Sequence, residues 1–221
     1  MFFIKPNELE AVALAAATGA CKRSYLEGVV AETYASGKLT LVATDGHRLH
    51  CVGFENREPV THQARMKIAD VKRVLSSAKT FVKEYKAVAE QYLRICVQLV
   101  PVEGEDEFGL LYEVVLGQNA EEKGKVLCSF SGEQTGGGYH AGHYPDWRRI
   151  VPSRDREAAG FPQQVRGKYI ADMVKAADLV TLKTKFGAAI TCHKGEVADN
   201  DAMIITVEGA PDFLGLIMSM Q

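Results

Sequence analysis

Leu41-Val42-Ala43-Thr44-Asp45-Gly46-His47-Arg48-Leu49 is the stretch from which the rest of this chain is read. Leu39, Leu41 and Ala43 alternate with Thr40, Val42 and Thr44, the period-two pattern of a strand with two unlike faces. Asp45-Gly46 is hairpin-turn chemistry, because glycine takes positive φ without a steric cost. Arg48-Leu49-His50-Cys51-Val52 is then the returning strand. Upstream, Phe2-Phe3-Ile4-Lys5 reads as a short strand that leads into Pro6-Asn7-Glu8. Asn7 is the expected N-cap of a helix, with Glu8 and Glu10 in the first turn, where the helix dipole favours carboxylates. Leu9, Val12, Ala13 and Ala16 follow at i, i+3, i+4 and i+7, one face of that helix. Strand, helix and hairpin together make one unit.

The same pattern recurs twice. Met66-Lys67-Ile68 opens a second unit whose helical stripe is Ile68, Val71, Val74, Leu75 and Ala78, followed by strand alternation at Leu93, Ile95, Val97 and Leu99. Pro101 to Phe108 is acidic and loop-like, and Gly132 to Gly142, with Gly136-Gly137-Gly138, is a glycine-rich loop. Ser153 to Gly160 is polar without an apolar period and reads as a linker. After it, Lys168 to Val180 is a third helix, expected to turn Ile170, Met173, Val174, Ala177 and Val180 inward. Strands complete that unit, and the chain closes on Leu214-Gly215-Leu216-Ile217-Met218-Ser219-Met220-Gln221. Repeated β-α-β units, richer in strand than in helix, define an α+β fold with helices on one face of antiparallel sheets.

Composition narrows the function. The 221 residues are 47% hydrophobic and 24% charged, ordinary for a globular protein. The apolar run Ala11 to Ala17 is too short to span a bilayer, and Met1 to Pro6 lacks a basic leader and cleavage site. The cytoplasm is therefore the expected compartment, with no membrane partner. Cys21, Cys51, Cys96, Cys128 and Cys192 form no CxxC pair and read as buried small side chains, not as a zinc site or disulfide frame. His140 and His143 stand in the glycine-rich loop with no helix to fix their spacing, so neither a metal nor any other cofactor is expected. No P-loop, nucleophile elbow or dinucleotide fingerprint is present, and the chain is read as non-enzymatic. A net charge of −2 does not advertise nucleic-acid binding, yet a ring with a basic lumen and an acidic rim averages to such a value.

Three stretches carry a resemblance. Leu41 to Leu49 closely resembles the middle-domain hairpin of bacterial sliding clamps, the beta subunit of DNA polymerase III. Tyr144-Pro145-Asp146-Trp147-Arg148-Arg149-Ile150-Val151-Pro152 resembles the segment that closes that domain, and Ile217-Met218-Ser219-Met220 resembles the family's Met-Pro-Met tail, with Ser219 in place of proline. The resemblance implies a DNA-clamp fold in a shortened member, of a kind that suits a phage or prophage. Family members have three domains of two half-repeats each. Here residues 1–152 correspond to the middle domain, with half-repeats at about 1–60 and 61–152; 153–160 is the linker; and 161–221 corresponds to the second half of the last domain.

The resemblance also implies a site and partners. In the family these stretches line a hydrophobic groove that takes short linear peptides of polymerases and the clamp loader. Carried over, the groove comprises Thr44, Gly46, His47, Arg48 and Leu49, then Pro145, Arg149 and Ile150, then Leu216, Met218, Ser219 and Met220. Thr44, Gly46 and Arg48 offer backbone and a stem, Leu49 and Ile150 apolar walls, and the methionines adaptable contacts. Trp147 is expected in the core, with Arg148 or Arg149 paired to a carboxylate. Two or three buried anchors at roughly 1.5–3 kcal/mol each give about micromolar affinity after ordering costs. A clamp also holds duplex DNA without reading sequence, through phosphates. The candidates are Lys22 and Arg23 after the first helix, Lys72, Arg73, Lys79 and Lys83 on the second, and Lys168 and Lys175 on the third. A compact chain of this size has a radius of gyration of roughly 17 Å, too small to enclose a duplex alone. A homo-oligomer of four chains, or three, is expected. The alternative is a clamp-derived regulator or decoy that keeps the peptide groove and never encircles DNA.

Overall fold

The computed structural model describes residues 1–18, 26–53, 59–86, 88–101, 108–117, 124–132, 144–151, 164–181, 187–197 and 200–219. Strand β1 (Phe2–Ile4) leads into helix α1 (Pro6–Ala13), followed by β2 (Val29–Tyr34), β3 (Leu39–Thr44) and β4 (Arg48–Val52). The second unit runs β5 (Val60–Met66), α2 (Ile68–Glu84), a single turn α3 (Ala89–Tyr92), β6 (Leu93–Pro101), β7 (Phe108–Leu116) and β8 (Lys125–Gly132). A 3₁₀ turn at Trp147–Ile150 precedes the third unit, α4 (Gly167–Val180), β9 (Ile190–Val197), β10 (Asn200–Val207) and β11 (Ala210–Met218). The linker, the glycine-rich loop with His140 and His143, most of the acidic loop after Pro101, Lys22, Arg23 and Met220 lie outside the described residues.

The first helix begins two residues earlier than its sequence suggests. Pro6 occupies its first position, where a fixed φ suits the helix and no N–H is lost, so Lys5 and not Asn7 is the cap residue. Asn7, inside the first turn, donates from Nδ2 to the Leu179 carbonyl at 2.8 Å and so caps the end of α4. Lys5 Nζ meets Glu8 at 2.7 Å across the same turn.

Two antiparallel sheets result, ordered β1-β6-β7-β8 and β5-β2-β3-β4-β11-β10-β9. The first two units exchange their lead-in strands: β1 pairs with β6, and β5 pairs with β2. Neither unit can close its sheet alone, and their apolar faces share one core beneath α1 and α2. The third unit joins through β11, which runs antiparallel to β4 with Leu216 opposite Leu49. Its lead-in residues Gln164 to Arg166 form no strand.

Strand period two sorts the side chains of the seven-stranded sheet. Ala31, Leu41 and Ala43 face the core under α1 and α2, whereas Val30, Val42 and Leu49 face the opposite side. On β11, Phe213 and Ile217 pack beneath α4, and Leu214 and Leu216 point the other way. Helix α4 departs from its expected stripe. Tyr169, Met173, Ala176 and Ala177 are buried, while Ile170 and Val174 are 38% and 43% exposed. The cause is tertiary: α4 leans on α1, where Ala176, Ala177 and Ala11 share one cluster, and small side chains permit that close approach. No helix among the described residues is long and apolar enough to cross a membrane.

Candidate functional site

The hairpin tip is a three-residue loop organised by its own side chains. Asp45 Oδ1 accepts the His47 and Arg48 amides at 2.9 and 3.1 Å, and the Gly46 amide donates to Thr44 Oγ1 at 3.0 Å. Gly46 has φ 90°, a conformation that a Cβ would strain. The loop leaves the His47 carbonyl pointing sideways, and it accepts the Met218 amide at 2.8 Å. The end of β11 is thereby sewn to the hairpin tip.

On the face opposite the helices, Leu49, Leu214 and Leu216 form a cluster with Tyr144 and Trp147, and Ile150, Val151 and Met218 pack at its edge. Leu49 and Leu216 are fully buried and Trp147 is 1% exposed, so these three are floor; Ile150, Val151 and Met218 are the apolar surface on offer. Pro145 stands exposed just before the 3₁₀ turn and Arg149 within it, and Gly46 and His47 are exposed at the loop. Thr44 is buried, its Oγ1 donating to the Arg48 carbonyl at 2.5 Å. Ser219 follows Met218, half-buried.

Arg48 departs from the groove drawn for it. Strand alternation sends it to the other face from Leu49, where it is 6% exposed. Its Nε meets Asp45 Oδ2 at 3.1 Å, a terminal nitrogen donates to Asp172 of α4, and the guanidinium lies 4.7 Å from the Tyr169 ring centroid. His47 stacks against the same ring at 6.4 Å. Arg48 is a clasp between the hairpin and the third unit.

The 3₁₀ turn is held from beneath by a polar network that the sequence only hinted at. Arg148 donates to Glu32 Oε2 at 2.6 Å, and its guanidinium lies 4.3 Å from the Trp147 ring. Trp147 Nε1 and Gln63 Nε2 donate to the other Glu32 oxygen at 3.4 and 3.0 Å. The Tyr34 hydroxyl bridges Glu32 and Thr40 at 3.3 and 3.1 Å, and burial pushes its pKa up, keeping it a neutral donor. Glu32 is 3% exposed, and a buried carboxylate of this kind requires such saturation. Arg148, then, is the arginine that meets the expected carboxylate. Glu32 and Tyr34 were missed because they lie on β2, more than a hundred residues away in the chain.

The cationic candidates divide between locations. Lys72 and Lys79 line a cleft of about 310 Å³ between α1 and α2, floored by Ala13, Leu14, Ile68 and Leu75. Lys79 and Lys175 reach the same carboxylate, Glu10, at 2.9 and 3.8 Å. Arg73 turns to the opposite flank of α2 and stacks 4.2 Å over Phe130 of β8. Lys83 and Lys168 are exposed on α2 and α4. Among the described residues no group of three or more side chains could hold a metal ion.

This sheet-and-helix arrangement is the fold of bacterial sliding clamps. The chain superimposes along its full length on the DNA polymerase sliding clamp of Pseudomonas aeruginosa with a TM-score of 0.56 at 16% identity, covering 65% of that chain. The same holds for DNA polymerase III beta subunit of Thermotoga maritima, with a TM-score of 0.57 at 15% identity, and for the Caulobacter crescentus clamp, with 0.58 at 13%, each covered over 65% of its length. The chain thus spans about two-thirds of the clamps whose fold it shares, slightly less by these figures. No protein-family model and no curated protein matches the sequence.

Proposed function

We propose that this chain is a sliding clamp, a processivity factor that tethers replication enzymes to duplex DNA as a homo-oligomeric ring and performs no chemistry itself. Residues 1–152 serve as its complete clamp domain and 161–221 as a half-domain, joined through 153–160. The observation that supports the reading best is the meeting of three distant stretches. The Thr44–Leu49 hairpin, the Trp147–Ile150 turn and the end of β11 adjoin on one face around Ile150, Val151 and Met218. A short peptide with a Leu or Phe anchor lies across that surface, its backbone against the hairpin loop and its anchor against the half-buried methionine, which adapts to different partners. Polymerase and clamp-loader tails are the peptides that the reading names.

Lys72, Lys79, Lys83, Lys168 and Lys175 then face the duplex phosphates from the helix layer, a contact loose enough for sliding. The diagnostic assay is retention on nicked circular DNA. A ring stays on the circle and slides off once the circle is linearised, whereas a chain lost equally from both refutes encirclement.

A second reading, a regulator that captures clamp-binding peptides without enclosing DNA, draws support from Glu10. Its carboxylate occupies two of the lysines that would otherwise meet phosphate. Peptide binding without topological retention on the circle would select it.

A further inference from the structure

We infer that the exposed face of α4 around Ile170 and Val174 is a two-fold contact, where the third units of two copies of this chain join helix layer to helix layer as one domain. This deepens the homo-oligomeric reading above and rests on it for the use of the assembly, though not for the contact itself.

The first observation is how the first two units complete each other. The first unit's β1 pairs with β6, the strand that follows the second unit's helices. The second unit's β5 pairs with β2, the strand that follows the first unit's helix. Each unit gives what it receives, which is the relation of an approximate two-fold axis, and α1 and α2 meet over one shared core. The third unit has the same helix and following strands. Among the described residues no other unit completes it in this way, and its lead-in residues Gln164 to Arg166 form no strand.

The second observation identifies the face that such a partner covers. Ile170-Ala171-Asp172-Met173-Val174 repeats Ile68-Ala69-Asp70-Val71-Lys72, and Met173 and Val71 are both fully buried, as is Leu9 of α1. The residues that follow these three are therefore equivalent: Glu10, Lys72 and Val174. Glu10 and Lys72 line the one cleft between α1 and α2, so this position faces the partner unit close to the axis. Ile68 lines the same cleft and is partly buried against the core, whereas its equivalent Ile170 is 38% exposed and Val174 43%. A groove of about 200 Å³, lined in part by Val165, Ile170, Ile190 and Cys192, opens beside them. A continuous apolar surface of this kind marks an interaction site.

Charge favours a second copy as the occupant. Between the two unlike units the junction carries opposite charges, with Glu10 and Lys72 on its two sides and Lys79 2.9 Å from Glu10. Where the two units are identical, a position at the axis meets itself, and a charge of either sign meets its like. Val174 is neutral and apolar, and packs against its own copy without that penalty. The residue at this position thus matches the symmetry of the junction in all three units.

The test joins cross-linking at the axis with a charge swap there. In a background of Cys21→Ser, Cys128→Ser and Cys192→Ser, Val174→Cys should oxidise with copper–phenanthroline to a single covalent dimer on a non-reducing gel. Cys51 and Cys96 are buried and cannot compete. Glu90→Cys, at an exposed position on α3, should stay monomeric on the same gel. Val174→Glu and Val174→Lys should each keep the parent's unfolding transition and weaken self-association at least about tenfold in sedimentation equilibrium, because like charges then meet. An equal mixture of the two should regain the parent's affinity as a heterodimer, since it restores the pairing of Glu10 with lysine. Association that neither charged variant disturbs, or that never cross-links through Val174→Cys, would overturn the two-fold contact and leave the ring to the circle-retention assay. A chain that stays monomeric at high concentration would end both the contact and the ring. A covalent Val174→Cys dimer that is lost from nicked circles would keep the contact and end encirclement.

Discussion

His50 makes the stability of this protein sharply sensitive to acid. It lies on β4, 0% exposed, with Nδ1 2.7 Å from the Ala11 carbonyl and its ring edge-on to Phe213. Nε2 has no partner among the described residues, so a second proton there would be buried without an acceptor. Burial, ahead of the smaller repulsion from Arg48, lowers its pKa from 6.5 to about 4. The folded pKa is below the unfolded one, so the unfolded chain binds the extra proton first. Stability is whole above about pH 6.5 and falls as pH drops toward 4. Linkage puts the loss at about 1.4 kcal/mol by pH 5.5 and about 2.6 kcal/mol by pH 4.5. The perturbation is His50→Asn, whose amide keeps the donor to Ala11 and removes the titration. Urea unfolding of both proteins at pH 7.5, 5.5 and 4.5 separates this residue from the carboxylates that titrate nearby, because their contribution is common to both. The gap between the variants should close by about 2–3 kcal/mol between pH 7.5 and 4.5. Parallel pH profiles would refute the argument and mean that the imidazole is hydrated or charged in the fold.

Further outcomes follow from the same contacts. Glu10→Gln releases Lys79 and Lys175, so duplex affinity by fluorescence anisotropy should rise about two- to threefold at low salt, and the log–log salt slope should steepen by about one; unchanged slopes would remove those lysines from the DNA surface. Deleting Met218 to Gln221 takes away the strand end that bonds to His47, and binding of a Leu/Phe-containing clamp-binding peptide should weaken at least about tenfold, as loss of one anchor requires. Equal affinity in a titration of the truncated chain would move the site elsewhere. Trp147→Ala empties the floor beneath that surface and should cost about 3–5 kcal/mol in chemical denaturation. Glu32→Gln leaves the Arg148 charge without its carboxylate, and its loss of stability should be partly restored in the double variant with Arg148→Met.

What was readable in advance was local. The alternation across Leu39 to Thr44, the Asp45-Gly46 turn and the apolar spacing of α1 and α2 rest on neighbours a few residues apart, so the sequence alone established the unit and its repetition. Leu49, Ile150, Leu216 and Met218 were also nameable from their motifs. Tertiary structure decided which way several of these side chains point. Arg48 stands next to Leu49 in the chain but on the opposite face of β4, since its carboxylate, Asp172, arrives on α4. The stripe of α4 places Ile170 and Val174 inward only for a helix with a neighbour on that side, and α1 packs against the other flank. Pairing of β4 with β11, and of Glu32 with Arg148, closes loops of more than a hundred residues. Such contacts leave no periodic trace, because their free energy comes from desolvation and complementary surfaces that exist only once the units have come together.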